Sequence, residues 1–113
     1  SPEAKFPAPE ARLNKNIINF GVLKRGGGVR TQRLTLSNAG GDPLRVEALE
    51  TDAPVTFSIG PGTVVPEGGE LEFEVRFDPS QADFGYMMRR LRIFTDDPAR
   101  PMRHVRLTAT VEE

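Results

Sequence analysis

The stretch from Leu34 to Val46, LTLSNAGGDPLRV, restricts the fold more than any other. Leu34 and Leu36 alternate with Thr35 and Ser37, the period of two expected of a strand with one buried face. Asn-Ala-Gly-Gly-Asp-Pro then supplies glycines free to take positive φ, an Asp able to bond back to the backbone, and a Pro that fixes φ on exit. Leu44, Val46 and Ala48 resume the alternation. Strand, tight reversal, strand is the local logic of an antiparallel β domain.

The same grammar repeats along the chain. Ile18, Phe20, Val22 and Leu23 start a strand around Gly21, and Gly26-Gly27-Gly28 follows. A phosphate-cradling loop would need a lysine, a hydroxyl and a helix next, whereas VRTQRLTL is strand-like, so the glycines read as a hairpin loop. Val55 to Ile59 alternates, Val64 and Val65 bridge two turns, and ELEFEVRFD (Glu70 to Asp78) is the cleanest strand, with Leu71, Phe73, Val75 and Phe77 on one face. Pro79 to Gly85 reads as a loop with at most one helical turn. Tyr86 to Thr95 is a strand whose alternation puts Arg89 inward, which predicts a bulge there or an overhang beyond the core. His104 to Val111 closes the chain with Val105, Leu107, Ala109 and Val111 inward.

About seven strands, with turn signals every ~8–12 residues and no helical period, predict an all-β protein. The expected fold is an immunoglobulin-like antiparallel β-sandwich, with a barrel as the competing closure. Residues 1–15, with Pro2, Pro7 and Pro9 among alternating charges, read as a linker or N-terminal extension anchored through Phe6 and Leu13; residues 16–113 read as the domain. The predicted core is Phe57, Phe73, Val75, Phe77, Leu91, Ile93, Val105 and Leu107.

A net charge of −1 gives no electrostatic case for nucleic acid, and no apolar run approaches the ~18 residues of a membrane span. The absence of cysteine excludes disulfides, thiolate metal sites and thiol nucleophiles, so the domain must be stable on packing alone. The first residue is Ser1 and not Met, which implies a piece processed or excised from something longer.

Asn19-Phe20-Gly21, LSNAGGDPL (Leu36 to Leu44), VPEGGELEFEVRFDP (Val65 to Pro79), FGYMMRRLRIFTDDP (Phe84 to Pro98) and a last strand ending TATV occur in an order that resembles the Hydin-like (ASH) immunoglobulin domains. The order is more similar still to a bacterial, Bacteroidetes-type domain family of unknown function found in secreted, periplasmic and lipid-anchored proteins. The resemblance covers about Asn16 to Val111. It implies the fold and a periplasmic or cell-surface location in a Gram-negative bacterium, and it carries no activity. Many members have a Cys-Gly-Cys segment after the third strand; here Glu50 to Val55 reads ETDAPV, so nothing that depends on those cysteines transfers. Asp96 replaces the usual Asn of the last turn.

No constellation for catalysis emerges. His104, the sole histidine, falls on an outward parity, and no G-x-S-x-G places Ser37, Ser58 or Ser80 as a nucleophile. Asp96-Asp97 with Asp78 or Asp83 matches no calcium-loop spacing and reads as turn chemistry. Tyr86, at the start of its strand, reads as a tyrosine that bonds back across a corner. No cofactor or metal is expected, and the chain is not expected to be an enzyme.

Charge is unevenly spread. Glu47 to Glu74 holds seven acidic residues and no Lys or Arg, while Arg89 to Arg106 holds six arginines and two aspartates. Cross-strand cancellation explains part of this, since Glu70, Glu72 and Glu74 should neighbour Thr31, Arg33 and Thr35. The remainder falls on one expected outward face: Arg45, Arg90, Arg92, Phe94, His104 and Arg106, with Glu47 as its acid. Two readings follow. The first is a non-catalytic structural or interaction module of a secreted or envelope protein, with neighbouring domains or an envelope protein as partners. The second is a recognition domain that binds an anionic glycan or an acidic protein segment through that basic face.

Overall fold

The computed structural model describes residues 7–113, and the Phe6 anchor lies outside them. Nine strands form two sheets: β1 (Ala11–Leu13), β2 (Ile17–Lys24), β3 (Arg30–Asn38), β4 (Leu44–Glu50), β5 (Val55–Phe57), β6 (Val64–Val65), β7 (Glu70–Phe77), β8 (Gly85–Thr95) and β9 (Met102–Glu112). The order is β1-β3-β7-β5 in one sheet and β2-β9-β8-β4-β6 in the other. A single 3₁₀ turn, Pro79–Gln81, is capped by Asp78, which accepts the Ser80 N–H. Among the described residues no helix is long and apolar enough to cross a membrane.

The sandwich is as expected, with two additions. β2 pairs parallel to β9, Ile17 opposite Arg106 and Lys24 opposite Glu112, so the fold is not purely antiparallel. The four-stranded sheet also begins at Ala11, which pairs with Asn38, upstream of the expected boundary at residue 16. Three residues are too few to show a period, and the surrounding prolines mask them.

Alternation places the core. Phe73, Val75 and Phe77 on β7, Leu91 and Ile93 on β8, and Val105 and Leu107 on β9 are fully buried between the sheets. Phe57, on the short edge strand β5, is half-buried and packs against them. Two bulges shift the pattern. In β2 the register slips between Asn19 and Val22. Gly21 takes φ 72° there and donates its N–H to Asn19 Oδ1 at 2.8 Å. Phe20 keeps the inward parity of Ile18, its ring centroid 5.2 Å from that of Phe77, while after the bulge Val22 points out and Leu23 in. In β4 the register slips between Val46 and Ala48, so Ala48 pairs with Phe94 and Leu49, rather than Ala48, turns inward.

β8 has no bulge at Arg89: its pairing with β9 runs unbroken from Gly85 to Phe94. Arg89 keeps the inward parity and escapes the core sideways, its Nε 3.7 Å from Asp52 Oδ2. The β3–β7 register sets Glu70, Glu72 and Glu74 opposite Ser37, Thr35 and Arg33, a two-residue slide from the expected pairing.

The two motif turns clamp the segment before β1. Asn38, 1% exposed, accepts the Glu10 and Gly40 N–H groups at 3.1 and 3.0 Å through Oδ1. Its Nδ2 donates to the Asp42 and Val65 carbonyls at 2.7 and 3.1 Å. Gly40 passes so close that a Cβ there would sit 2.0 Å from the Ala8 carbonyl oxygen. From the other sheet, buried Asp97 accepts the Ala11 N–H at 2.9 Å and the Ala99 and Arg100 N–H groups at 2.9 and 3.2 Å. Arg103 donates to the Ala11 carbonyl. Both polar hubs of the interior thus hold one short strand across the two sheets.

Candidate functional site

β4, β8 and β9 are neighbours in the five-stranded sheet, and their outward residues form rows. Phe94 pairs with Met102 and Ala48, Arg92 with His104 and Glu50, and Arg90 with Arg106, which in turn faces Ile17 on β2. The structure therefore brings together Arg90, Arg92, His104 and Arg106 of the expected face, all exposed. Arg45 stands apart: it lies on β4 opposite Val64, donates its backbone N–H to Asp96 Oδ1 at 2.7 Å, and holds Glu47 at 4.0 Å. Phe94 is half-buried rather than exposed. Glu50, opposite Arg92, is a second acid on the face that the β4 bulge hides from a strict count.

Sequence parity missed the other half of the cluster. An open groove of about 390 Å³ lies where the β1–β2 connection crosses the end of β9, lined by Lys15, Ile17, Arg90, Arg100, Arg103, His104 and Arg106 among others. No carboxylate lines it, and no ion pair involves Lys15, Arg90, Arg92, Arg100, Arg103 or Arg106 among the described residues. Arg90 and Arg106 sit directly opposite each other, a like-charge pairing that works against the sheet. Arg103 has inward parity, yet it lines the groove, and its buried Nε has no hydrogen-bond partner among the described residues. Lys15 and Arg100 come from loops, where alternation carries no signal. The density of arginine between Arg89 and Arg106 was the available clue.

Asp97, outside the lining of this groove, is held charged. Burial alone would raise its pKa, but the N–H donors of Ala11, Arg100 and Ala99 and the Arg103 guanidinium outweigh burial and bring the carboxyl below its usual range. Both Asp97 oxygens are occupied by backbone donors, and Asp96 caps Arg45, so the Asp-Asp-Pro turn is structural. Among the described residues no three His, Cys, Asp or Glu side chains are grouped to hold a metal ion. Tyr86 forms no corner: its side chain is 71% exposed on the same outward face.

No curated protein matches the chain by sequence. Among solved structures, a Porphyromonas gingivalis protein of unknown function superposes with a TM-score of 0.76 at 19% identity, over 90% of this chain and 46% of that one. An ASH/PapD-like domain of human CEP192 gives 0.72 at 17% identity, over 100% of this chain and 92% of that one. The secreted serine protease VesC of Vibrio cholerae gives 0.60 at 15% identity, over 92% of this chain and 23% of that one. The chain thus spans less than half of either bacterial protein. At these identities the likeness is one of fold, which agrees with the sandwich described above. A family model, HYDIN/CFA65/VesB-like, Ig-like domain, matches residues 9–110, and the chain belongs to that family.

Proposed function

We propose that this domain is a non-catalytic binding module of a larger extracytoplasmic protein, and that it engages an anionic partner through the β8–β9 face. The observation that carries the reading is the groove of Lys15, Arg90, Arg100, Arg103, His104 and Arg106, lined by no carboxylate among the described residues. Guanidinium forks match carboxylate oxygens two to two, and Arg90, Arg100 and Arg106, which enter no ion pair among the described residues, keep their donors available. The like-charge Arg90–Arg106 pair costs the fold stability that a bound anion returns. The extracytoplasmic setting is supported by the shared fold of a secreted protease and of a periplasmic chaperone.

Elution from heparin and from poly-glutamate tests the reading. The parent should require clearly more salt than the Arg90→Glu, Arg92→Glu double variant, while the two stay folded and melt within about 5 °C of each other. Equal elution of the two proteins, without dependence on ionic strength, would reduce the face to solvated surface.

A further inference from the structure

The basic rows do not end the outward face; they continue into apolar ones. Beyond the Arg90–Arg106–Ile17 row lies Met88–Thr108–Asn19, and beyond that Tyr86–Thr110–Val22. Four large apolar or aromatic side chains stand open here: Tyr86 at 71%, Val22 at 65%, Ile17 at 50% and Met88 at 40% exposure. The β2 bulge is what brings Val22 onto this face, since without the extra residue at Gly21 it would point into the core. Thr108 donates to Asn19 Oδ1 at 3.2 Å, tying the polar middle of the rows together.

Outward residues on one strand repeat every ~7 Å and strands lie ~4.8 Å apart, so the rows from Arg92 to Tyr86 cover about 10 by 20 Å. A segment of about six extended residues spans that length. One end of the face is arginine-rich and without ion pairs among the described residues, and the other presents Tyr, Met and Val. Tyr, Met and Arg are the residues enriched in protein interfaces, and their division into two halves asks for a ligand divided likewise.

We infer that the outward face of β8–β9–β2 docks an acidic polypeptide segment carrying aromatic or aliphatic side chains, its carboxylates over Arg90 and Arg106 and its apolar residues over Tyr86, Met88 and Val22. This rests on the anion-binding reading above and narrows it: the partner is protein rather than glycan. Charge complementarity selects the acidic half of the ligand. The exposed apolar rows select the other half, because a glycan's hydroxyls find no partner on Val22 or Met88.

A displayed library of random twelve-residue peptides, panned on the purified 113-residue chain, tests it, with heparin as the glycan probe. Enriched peptides should combine acidic and large apolar residues. Their affinity should fall at least about tenfold both in Arg90→Glu, Arg92→Glu and in Val22→Ser, Tyr86→Ala, which corresponds to 1.4 kcal/mol or more for each pair. Amide shifts of the parent on peptide addition should map to both halves of the face, a readout that holds even if a variant folds poorly. Heparin binding lost in the arginine variant, with no peptide enriched or with peptides indifferent to Val22 and Tyr86, would overturn the inference and leave the anion-binding reading standing. Apolar peptides indifferent to the arginines, or shifts elsewhere, would overturn it as well. No retention of either probe would overturn both.

Discussion

Replacing Asp97 by alanine should destabilise this domain strongly. Asp97 is 1% exposed and accepts three backbone N–H groups, from Ala11, Ala99 and Arg100. Ala11 is fully buried, so its N–H would be left without a partner or water, at a cost of about 1–3 kcal/mol. Ala99 and Arg100 lie on an exposed turn where water can replace the carboxylate, so each loses about 0.5–1.5 kcal/mol. The sum is about 2–6 kcal/mol, and at about 4 °C per kcal/mol Tm should fall by at least about 8 °C. Asp97→Asn adds a reading of charge. The native carboxyl titrates below its usual value, so its contribution is complete above the unfolded pKa of about 3.9 and is lost as pH falls through the lower native one. Urea unfolding of parent and Asp97→Asn should show a stability gap that is constant from pH 7 to about pH 5 and narrows as the pH falls below the ordinary carboxylate range. A gap that does not narrow on acidification, or an alanine variant that melts within about 3 °C of the parent, would refute the reasoning.

Phe73→Ala, which empties a site at the middle of β7, should cost about 3–5 kcal/mol, read as a lowered urea midpoint with unchanged m. Gly40→Ala should push the chain before β1 off the Asn38 turn, because its Cβ would meet the Ala8 oxygen at 2.0 Å and the Glu10 nitrogen at 2.7 Å. We expect about 1–3 kcal/mol of destabilisation and faster hydrogen exchange at Ala39, whose N–H is held by the Glu10 carbonyl. Arg90→Glu should instead stabilise the domain by about 0.2–1 kcal/mol, by turning the cross-strand pair with Arg106 into one of opposite charge. If it lowers the urea midpoint, Arg90 is not in a repulsive pairing.

Most of the sandwich was legible because alternation is a direct record of which face is buried. Phe73, Val75, Phe77, Leu91, Ile93, Val105 and Leu107 were all placed by parity. Parity failed at the bulges: one extra residue at Gly21 or Glu47 reverses every side chain after it, which moved Ala48 outward and hid Glu50 opposite Arg92. It also could not show β1, whose place depends on hydrogen bonds from Asn38 and Asp97, residues distant in sequence that read only as turn formers. Of the proposed face, parity brought Arg90, Arg92 and Arg106 together but not Arg45, and it gave no sign of Lys15, Arg100 or Arg103. Loops have no period, and the position of Arg103 at the edge of the core, with its guanidinium turned out to the Ala11 carbonyl, is a tertiary fact.

The parallel pairing of β2 with β9 sets an order in time. A ribosome delivers β2 first and β9 last, yet β9 is the strand that joins β2 to the rest of its sheet. Until residues 102–112 have emerged, Ile18 and Leu23 have no sheet to enter and β8 lacks one neighbour. Pairings this distant are slow to form, on the scale of milliseconds to seconds for β-sandwiches. The nascent domain must therefore wait, unclosed, for its final strand, and a chain released before Met102 would carry both open edges with it.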